Sequence, residues 1–488
     1  MAGIGIQLNR IFNKRTVASS AYGIGFSVMY TIAPMLVIML GLLAMYNLLG
    51  FDSVSYLERE LFSCSVLYVF IFSLLFSSSF NSALSKYIAD RIYEKAYDDI
   101  RPCMLAGLLM KLGISTLISV PFYLHEIFVG GVEVYYVFTT YMCYMGLTLV
   151  FALMLYGVVI KQFKRISIIF IIGTAVTVLL SCVFRFLLGF SITYSMLLAL
   201  AIGFWLMAAL QMFILMRIFS GNSHRYAAVF HYFKRYWRLI LSDFLYIFGL
   251  FAHNFVFWFA PFRLEIVQTY ICNQPYDMAT CLAMFTNISA TVLFISKVEM
   301  HFFERYSDFN SAVVGGSLEM IEKSKSRMFS SLGQQLKNLV QVQFAISVII
   351  FLIAEIILPL IGFAGMTMEI YPLMSVGYFI SFLMYSNILF LQYYSDYTGS
   401  ALTGLVFASL SLIGAIFSMG LPTEWYGLGY VAGALCAYIF SFLRLRYMEN
   451  NVYTHTFCVG SIIDKREADM PPSQVYTKAA ANAELREG

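Results

Sequence analysis

The chain has 488 residues, of which 60% are hydrophobic and 12% are charged, about half the charged share of an ordinary soluble domain. So little polar surface excludes a water-soluble globule, and lipid has to cover the remainder. The net charge of +4 gives no reason to expect a nucleic-acid partner, so the information lies in where the charges fall.

A helix needs about 20 apolar residues to cross roughly 30 Å of hydrocarbon. Residues 1–21 carry Ile4, Leu8, Ile11 and Phe12 at the spacing of a short interfacial helix. The first apolar run, Tyr22–Leu49, is far too long for a signal-peptide core. Within it, Pro34 removes a backbone hydrogen bond and marks an expected hinge. Further spans are expected at Leu61–Phe80, Cys103–Leu124, Val134–Ile160, Ile166–Leu188 and Thr193–Met216. A basic stretch, residues 217–238, places Val229, Phe230, Phe233 and Trp237 on an amphipathic helix that we read as the linker between two halves. After it come Leu239–Pro261, Thr280–Val298, Leu339–Phe363, Ile370–Tyr393, Ala401–Gly420 and Leu428–Leu445. The apolar runs are continuous, not alternating, which favours helices over a barrel. The expected fold is therefore an all-α integral membrane protein of about twelve transmembrane helices. Residues 22–216 form one six-helix bundle and residues 239–449 a second, with a cytoplasmic amphipathic loop at 301–337. In that loop Ile321, Met328, Leu332, Leu336 and Leu339 recur at helical spacing. Residues 450–488 are polar, include Pro471 and Pro472, and read as a cytoplasmic tail.

Lysine and arginine set the orientation. With the N-terminus inside, 27 of the 31 basic residues fall in inner segments. Only Arg59, Arg185 and Arg263 lie outside, and Lys111 lies within the third span. The expected location is the cytoplasmic membrane, with both termini cytoplasmic.

Catalytic signatures are scarce. The chain has neither a Walker-type glycine loop nor HExxH, and its six histidines are scattered. Outer segments are short, the longest running from about Phe262 to Ala279. Movement of a substrate is therefore favoured over chemistry on it, and no enzyme activity, cofactor or metal is expected. Charges inside spans are the first functional suspects, because hydrocarbon penalises them by about 3 kcal/mol or more. Lys111 is read as snorkelling to the inner interface. Arg185 reads as a headgroup anchor or a pathway residue, and Glu355 as facing an aqueous cavity. In the seventh span Asp243, Tyr246, Leu250, Asn254 and Phe257 share one partly polar face, with His253 beside it. Such a face suits a water-filled pathway or an interhelical contact. Cys272 and Cys281 are the one cysteine pair near the outer surface, and whether they are bonded stays open.

Several stretches resemble the PelG family. They are Met-Ala-Gly-Ile-Gly-Ile at Met1 to Ile6, Phe257-Trp258-Phe259, and Tyr276-Asp277-Met278-Ala279-Thr280 through Lys297-Val298-Glu299-Met300-His301-Phe302-Phe303-Glu304-Arg305-Tyr306. Gly427-Leu428-Gly429-Tyr430 and Tyr453-Thr454-His455-Thr456-Phe457 extend the likeness along nearly the whole chain. The resemblance implies membership of the superfamily of multidrug, oligosaccharidyl-lipid and polysaccharide exporters (MATE-like), built as two six-helix bundles around a central cavity. It implies transport of an N-acetylgalactosamine-rich biofilm exopolysaccharide. The implied partners are a cytoplasmic glycosyltransferase, PelF-like, and membrane proteins that are PelD-like (a cyclic-di-GMP sensor) and PelE-like. It carries over no catalytic motif. Lys297, Glu299, Glu304 and Arg305, at the inner face, then suit docking of a synthase or a cytoplasmic gate. The other readings are a flippase for lipid-linked oligosaccharide and a scaffold for a synthase complex. For orientation, green fluorescent protein fused within residues 455–488 should fluoresce, and alkaline phosphatase inserted between Phe262 and Ala279 should be active. The reverse pair of results would invert the topology.

Overall fold

The computed structural model describes residues 37–159, 163–287, 289, 298–360 and 363–454. The expected interfacial helix at 1–21, Pro34, Lys297 and most of the tail lie outside these residues. Among the described residues there are fifteen α-helices and one short hairpin. Ten of the helices are long and apolar enough to cross a membrane.

The first half begins with α1 (Val37–Leu49), which stops where Gly50 turns left-handed at φ 67°. Next come α2 (Tyr56–Ser78), α3 (Asn81–Tyr93) and α4 (Ile100–Phe128). The helix α2 starts five residues before the expected Leu61, so Glu58, Arg59 and Glu60 belong to its first turns. Pro121 sits inside α4. The half continues with α5 (Val134–Val159), α6 (Phe163–Phe186) and α7 (Ile192–Ile218). The short α8 (Tyr226–Arg235) lies in the linker. It buries Val229 and Phe233, four residues apart, whereas Phe230 and Trp237 are exposed. The sequence pattern grouped all four, but Phe230 lies about 100° round the helix from Val229. Phe233 packs on Phe80 with ring centroids 5.5 Å apart, and the Tyr232 hydroxyl donates to Asp90 at 2.6 Å. Burial and that carboxylate push the Tyr232 pKa up.

The second half opens with α9 (Trp237–Phe257). An antiparallel hairpin follows, β1 (Leu264–Ile266) and β2 (Tyr270–Cys272), where the sequence suggested only a loop. Its register pairs Leu264 with Cys272 and Ile266 with Tyr270. The turn holds Val267 and Gln268 at φ 52° and 58°, a costly conformation for a β-branched residue. Then come α10 (Gln274–Asn287), α11 (Glu299–Gly315) and α12 (Leu318–Leu360). The expected amphipathic segment at 301–337 is helical. It comprises α11, a break at Gly316, and the first half of α12, whose 43 residues run unbroken for about 65 Å into the ninth span. Its stripe Met328, Phe329, Leu332 and Leu339 is buried. The chain ends with α13 (Met366–Tyr393), α14 (Tyr397–Ser418) and α15 (Leu428–Thr454).

The buried side chains fall into three clusters. One holds residues between Ile38 and Leu239, and a second lies between Tyr246 and Ala437 but takes in Cys64, Tyr68 and Ile71 from α2. The third gathers Phe302, Phe329, Phe390, Tyr394 and Met448 at the end of the second half that the basic residues are expected to place inside. Outward faces carry bare Leu117, Ile171, Phe213, Ile356 and Phe417, as a lipid-covered surface requires. Small residues set the closest helix approach. A Cβ on Gly414 would lie 2.6 Å from the Gly429 carbonyl oxygen, so α14 and α15 touch backbone to backbone. Gly429→Leu should therefore cost about 1–3 kcal/mol, read as a lower melting temperature in detergent. Gly113→Leu, with open space around it, should leave that temperature unchanged.

Candidate functional site

The two halves meet along a seam where α2 and α3 face α9. Amphipathic logic placed the interest on the polar stripe of α9, yet that stripe mostly turns inward. Tyr246 stacks on Tyr385 at 4.3 Å. His253 Nδ1 is 2.9 Å from the Tyr276 hydroxyl. Asn254 donates to Asp277 at 2.7 Å, and Phe257 stacks on Tyr276 at 3.9 Å. All four side chains are buried within the second half. The face presented to α2 is aromatic. Phe255 stacks on Phe72 at 5.9 Å and neighbours Phe248 at 5.9 Å, while Phe72 in turn stacks on Phe76.

Polar groups close the inner end of the seam. The Asp243 carboxylate accepts from the Ser82 backbone N–H and hydroxyl, both at 2.8 Å. It also accepts from Gln392 Nε2 at 3.4 Å. Because Ser82 lies in the first turn of α3, the carboxylate satisfies one of that helix's free amides. The adjacent Asn81 accepts from Lys111 Nζ at 2.8 Å. Ser242, next to Asp243, is hydrogen-bonded to Ser400, which Gln392 also reaches. Lys111 does not snorkel. Its side chain is 1% exposed, because eleven residues of α4 separate it from the helix start and Asn81 offers a nearer oxygen than the interface does. Lys111 and Asp243 therefore come together through consecutive residues of α3.

Aromatic packing closes the outer end. Tyr68 stacks on Trp258 at 4.7 Å and meets Tyr270 edge-on at 5.1 Å. Its hydroxyl donates to the Ile271 carbonyl at 2.6 Å and accepts the Ile271 N–H at 3.2 Å.

The remaining candidates are dispersed. Arg185 lies at the outer end of α6 and donates to the Phe190 carbonyl at 2.9 Å, tying down the turn at Gly189, away from the seam. Glu355 is half-buried on α12, and its Oε1 has no hydrogen-bond partner among the described residues. Glu299 opens α11. Glu304 is exposed, and so is Arg305, which lies 3.5 Å from Asp308 on the same helix. Cys281 is exposed and Cys272 buried, and the neighbour of Cys272 is Cys64, not Cys281.

Three buried acidic residues are not among the site residues expected from the sequence. Asp277 is 7% exposed and accepts from Asn254, from Trp258 Nε1 at 3.1 Å and from the Asn273 N–H at 3.1 Å. It lies before the expected start of its span at Thr280, within the run that carries the family resemblance. Glu126 is 1% exposed and lies beside the Tyr270 hydroxyl. Asp396 caps α14 through the Gly399 N–H at 3.0 Å and holds Arg444 of α15. At the inner face, α12 and α15 frame a cleft of about 620 Å³ lined by Lys325, Arg446, Glu449 and Tyr453 among others.

The sequence pattern of the PelG family, described as "Putative exopolysaccharide Exporter (EPS-E)", matches residues 1–457. No curated protein matches the chain. Among solved structures, a MATE in complex with MaD5 superposes with a TM-score of 0.58 at 14% identity, covering 87% of this chain and 95% of that one. The eukaryotic MATE transporter AtDTX14 gives 0.58 at 12% identity, over 86% and 95%. A MOP superfamily transporter from Pyrococcus furiosus gives 0.53 at 14%, over 88% and 96%. These likenesses establish a MATE-like fold for a multi-pass membrane protein. Asp243→Ala removes the acceptor that joins α9 to α3, a charged contact of about 1.5–3 kcal/mol. Amide hydrogen exchange across residues 79–90 should then accelerate about tenfold or more, while Arg185→Gln leaves it unchanged.

Proposed function

Because the chain belongs to the PelG family of exopolysaccharide exporters, we propose that it carries a Pel-like, N-acetylgalactosamine-rich polysaccharide across the cytoplasmic membrane, in concert with a cytoplasmic glycosyltransferase. The observation that carries this reading is the family match along residues 1–457 of a chain with a MATE-like fold. The chemistry of the seam supports it. Phe72, Phe76, Phe248 and Phe255 offer flat apolar faces between the two closed ends, and sugar rings stack on such faces. Charges are confined to the ends, which suits a neutral polymer better than a cation. In this reading Asp243 with Ser82 forms the inner gate, Tyr68 with Trp258 the outer one, and the two halves rock about the seam. The chain acts as a conduit and not as an enzyme.

Orientation follows the basic residues, with both termini in the cytoplasm. The inner face then presents Glu304, Arg305 and the cleft between α12 and α15 to a PelF-like synthase, while PelD-like and PelE-like proteins complete the complex within the membrane. Lys297 and Glu299 belong to the same inner segment.

Sealed inverted vesicles holding the synthase partners provide the test. With this chain present, newly made polymer should become protected from an added glycosidase. Phe72→Ala combined with Phe255→Ala should cut the protected fraction at least tenfold while total synthesis persists. Protection that is equal without this chain would overturn the reading. Accumulation of an undecaprenyl-linked intermediate on depletion would replace it with a lipid-linked flippase.

A further inference from the structure

At the outer end of the seam two thiols from different halves meet. Cys64 lies two turns into α2 and Cys272 ends β2, 208 residues further along the chain, yet their Sγ atoms are 2.8 Å apart. Both residues are buried at 2% exposure. The approach is held by its surroundings. Tyr68 is one turn from Cys64 on the same face of α2, and it grips both backbone groups of Ile271, the residue before Cys272. The stack of Tyr68 on Trp258, at 4.7 Å, holds that tyrosine against the end of α9. The other described cysteines lie elsewhere: Cys103 and Cys143 are buried in the first half, Cys182 is half-buried there, and Cys281 and Cys436 are exposed.

We propose that Cys64 and Cys272 are a disulfide site that joins the two halves across the outer end of the seam. With sulfurs this close, bond formation to about 2.05 Å needs little more than side-chain rotation. The chemistry is exchange with an external disulfide. One thiolate attacks it to form a mixed disulfide and releases one thiol. The second cysteine then displaces the other, so the pair loses two protons and two electrons and the oxidant becomes two thiols. The charge asymmetry of the chain puts this end on the non-cytoplasmic side, where such bonds persist. The buried pair becomes open to exchange when the halves part, and the bond then holds the outer end shut. This last consequence rests on the transport reading, whereas the bond itself does not.

The full-length protein in native membrane vesicles is treated with diamide, which takes up the two electrons and two protons as it becomes the hydrazine. Remaining thiols are blocked with N-ethylmaleimide, and the digest is examined by mass spectrometry. A dithiothreitol-sensitive pair of peptides containing Cys64 and Cys272 is expected. It should vanish in Cys64→Ser and in Cys272→Ser and persist in Cys281→Ser. Full alkylation of both cysteines after oxidation, or a link from Cys272 to Cys281, overturns the site. In cells, oxidised wild type should lose export at least tenfold and regain it with dithiothreitol, while Cys64→Ser ignores diamide. A bond that forms while export continues refutes the closing role. Absence of export in the reduced wild type counts against the transport reading alone.

Discussion

Hydrocarbon offers no partner for a backbone amide or carbonyl, so each crossing segment has to satisfy its own hydrogen bonds. This demand makes the long helices, and it also decides how they pack. Lipid is as apolar as leucine, so burial of apolar area gives little preference for helix over lipid, and close contact has to come from shape and polar pairing. The second half shows both. Gly414 and Gly429 let two backbones touch. Nearby, a chain of hydrogen bonds runs from Ser289 through Gln343 and Ser347 to Asn287 and Ser375, linking α10, α12 and α13.

The same economy explains where polar groups sit between the halves. In the second half buried acids pair within the bundle, as Asp277 does with Asn254 and Trp258 and Asp396 with Arg444. The contacts between halves are fewer and lie at the two ends, with the aromatic faces of Phe72 and Phe255 between them. A seam that is tight at its ends and apolar in its middle can part at one end while the other holds. Large motion then costs a few hydrogen bonds at a time, not the refolding of a core.

The inner face is built differently from the outer one. The helix α12 carries its buried stripe past its spanning segment and onto α15 without a break, so the cleft between them is coupled directly to a spanning helix. The outer face instead has a two-stranded hairpin pinned by one tyrosine. One side thus carries a long continuous helix and the other a small pinned hairpin.

Local pattern determined a good deal by itself. Apolar run length gave ten of the twelve expected spans among the described residues, because crossing about 30 Å of lipid needs a fixed number of residues. The distinctive run from Tyr276 to Tyr306 pointed to the family. What periodicity could not decide was which face of a helix meets which neighbour. The α9 stripe from Tyr246 to Phe257 looks like a pathway, but only packing shows that it turns into its own bundle and leaves Phe248 and Phe255 for the seam. Lys111 reads as a snorkelling side chain until α3 brings Asn81 beside it. Cys64 and Cys272, like Ser82 and Asp243, lie more than 150 residues apart in sequence. No local signal links such residues, because contacts between bundles are created only when both bundles have formed.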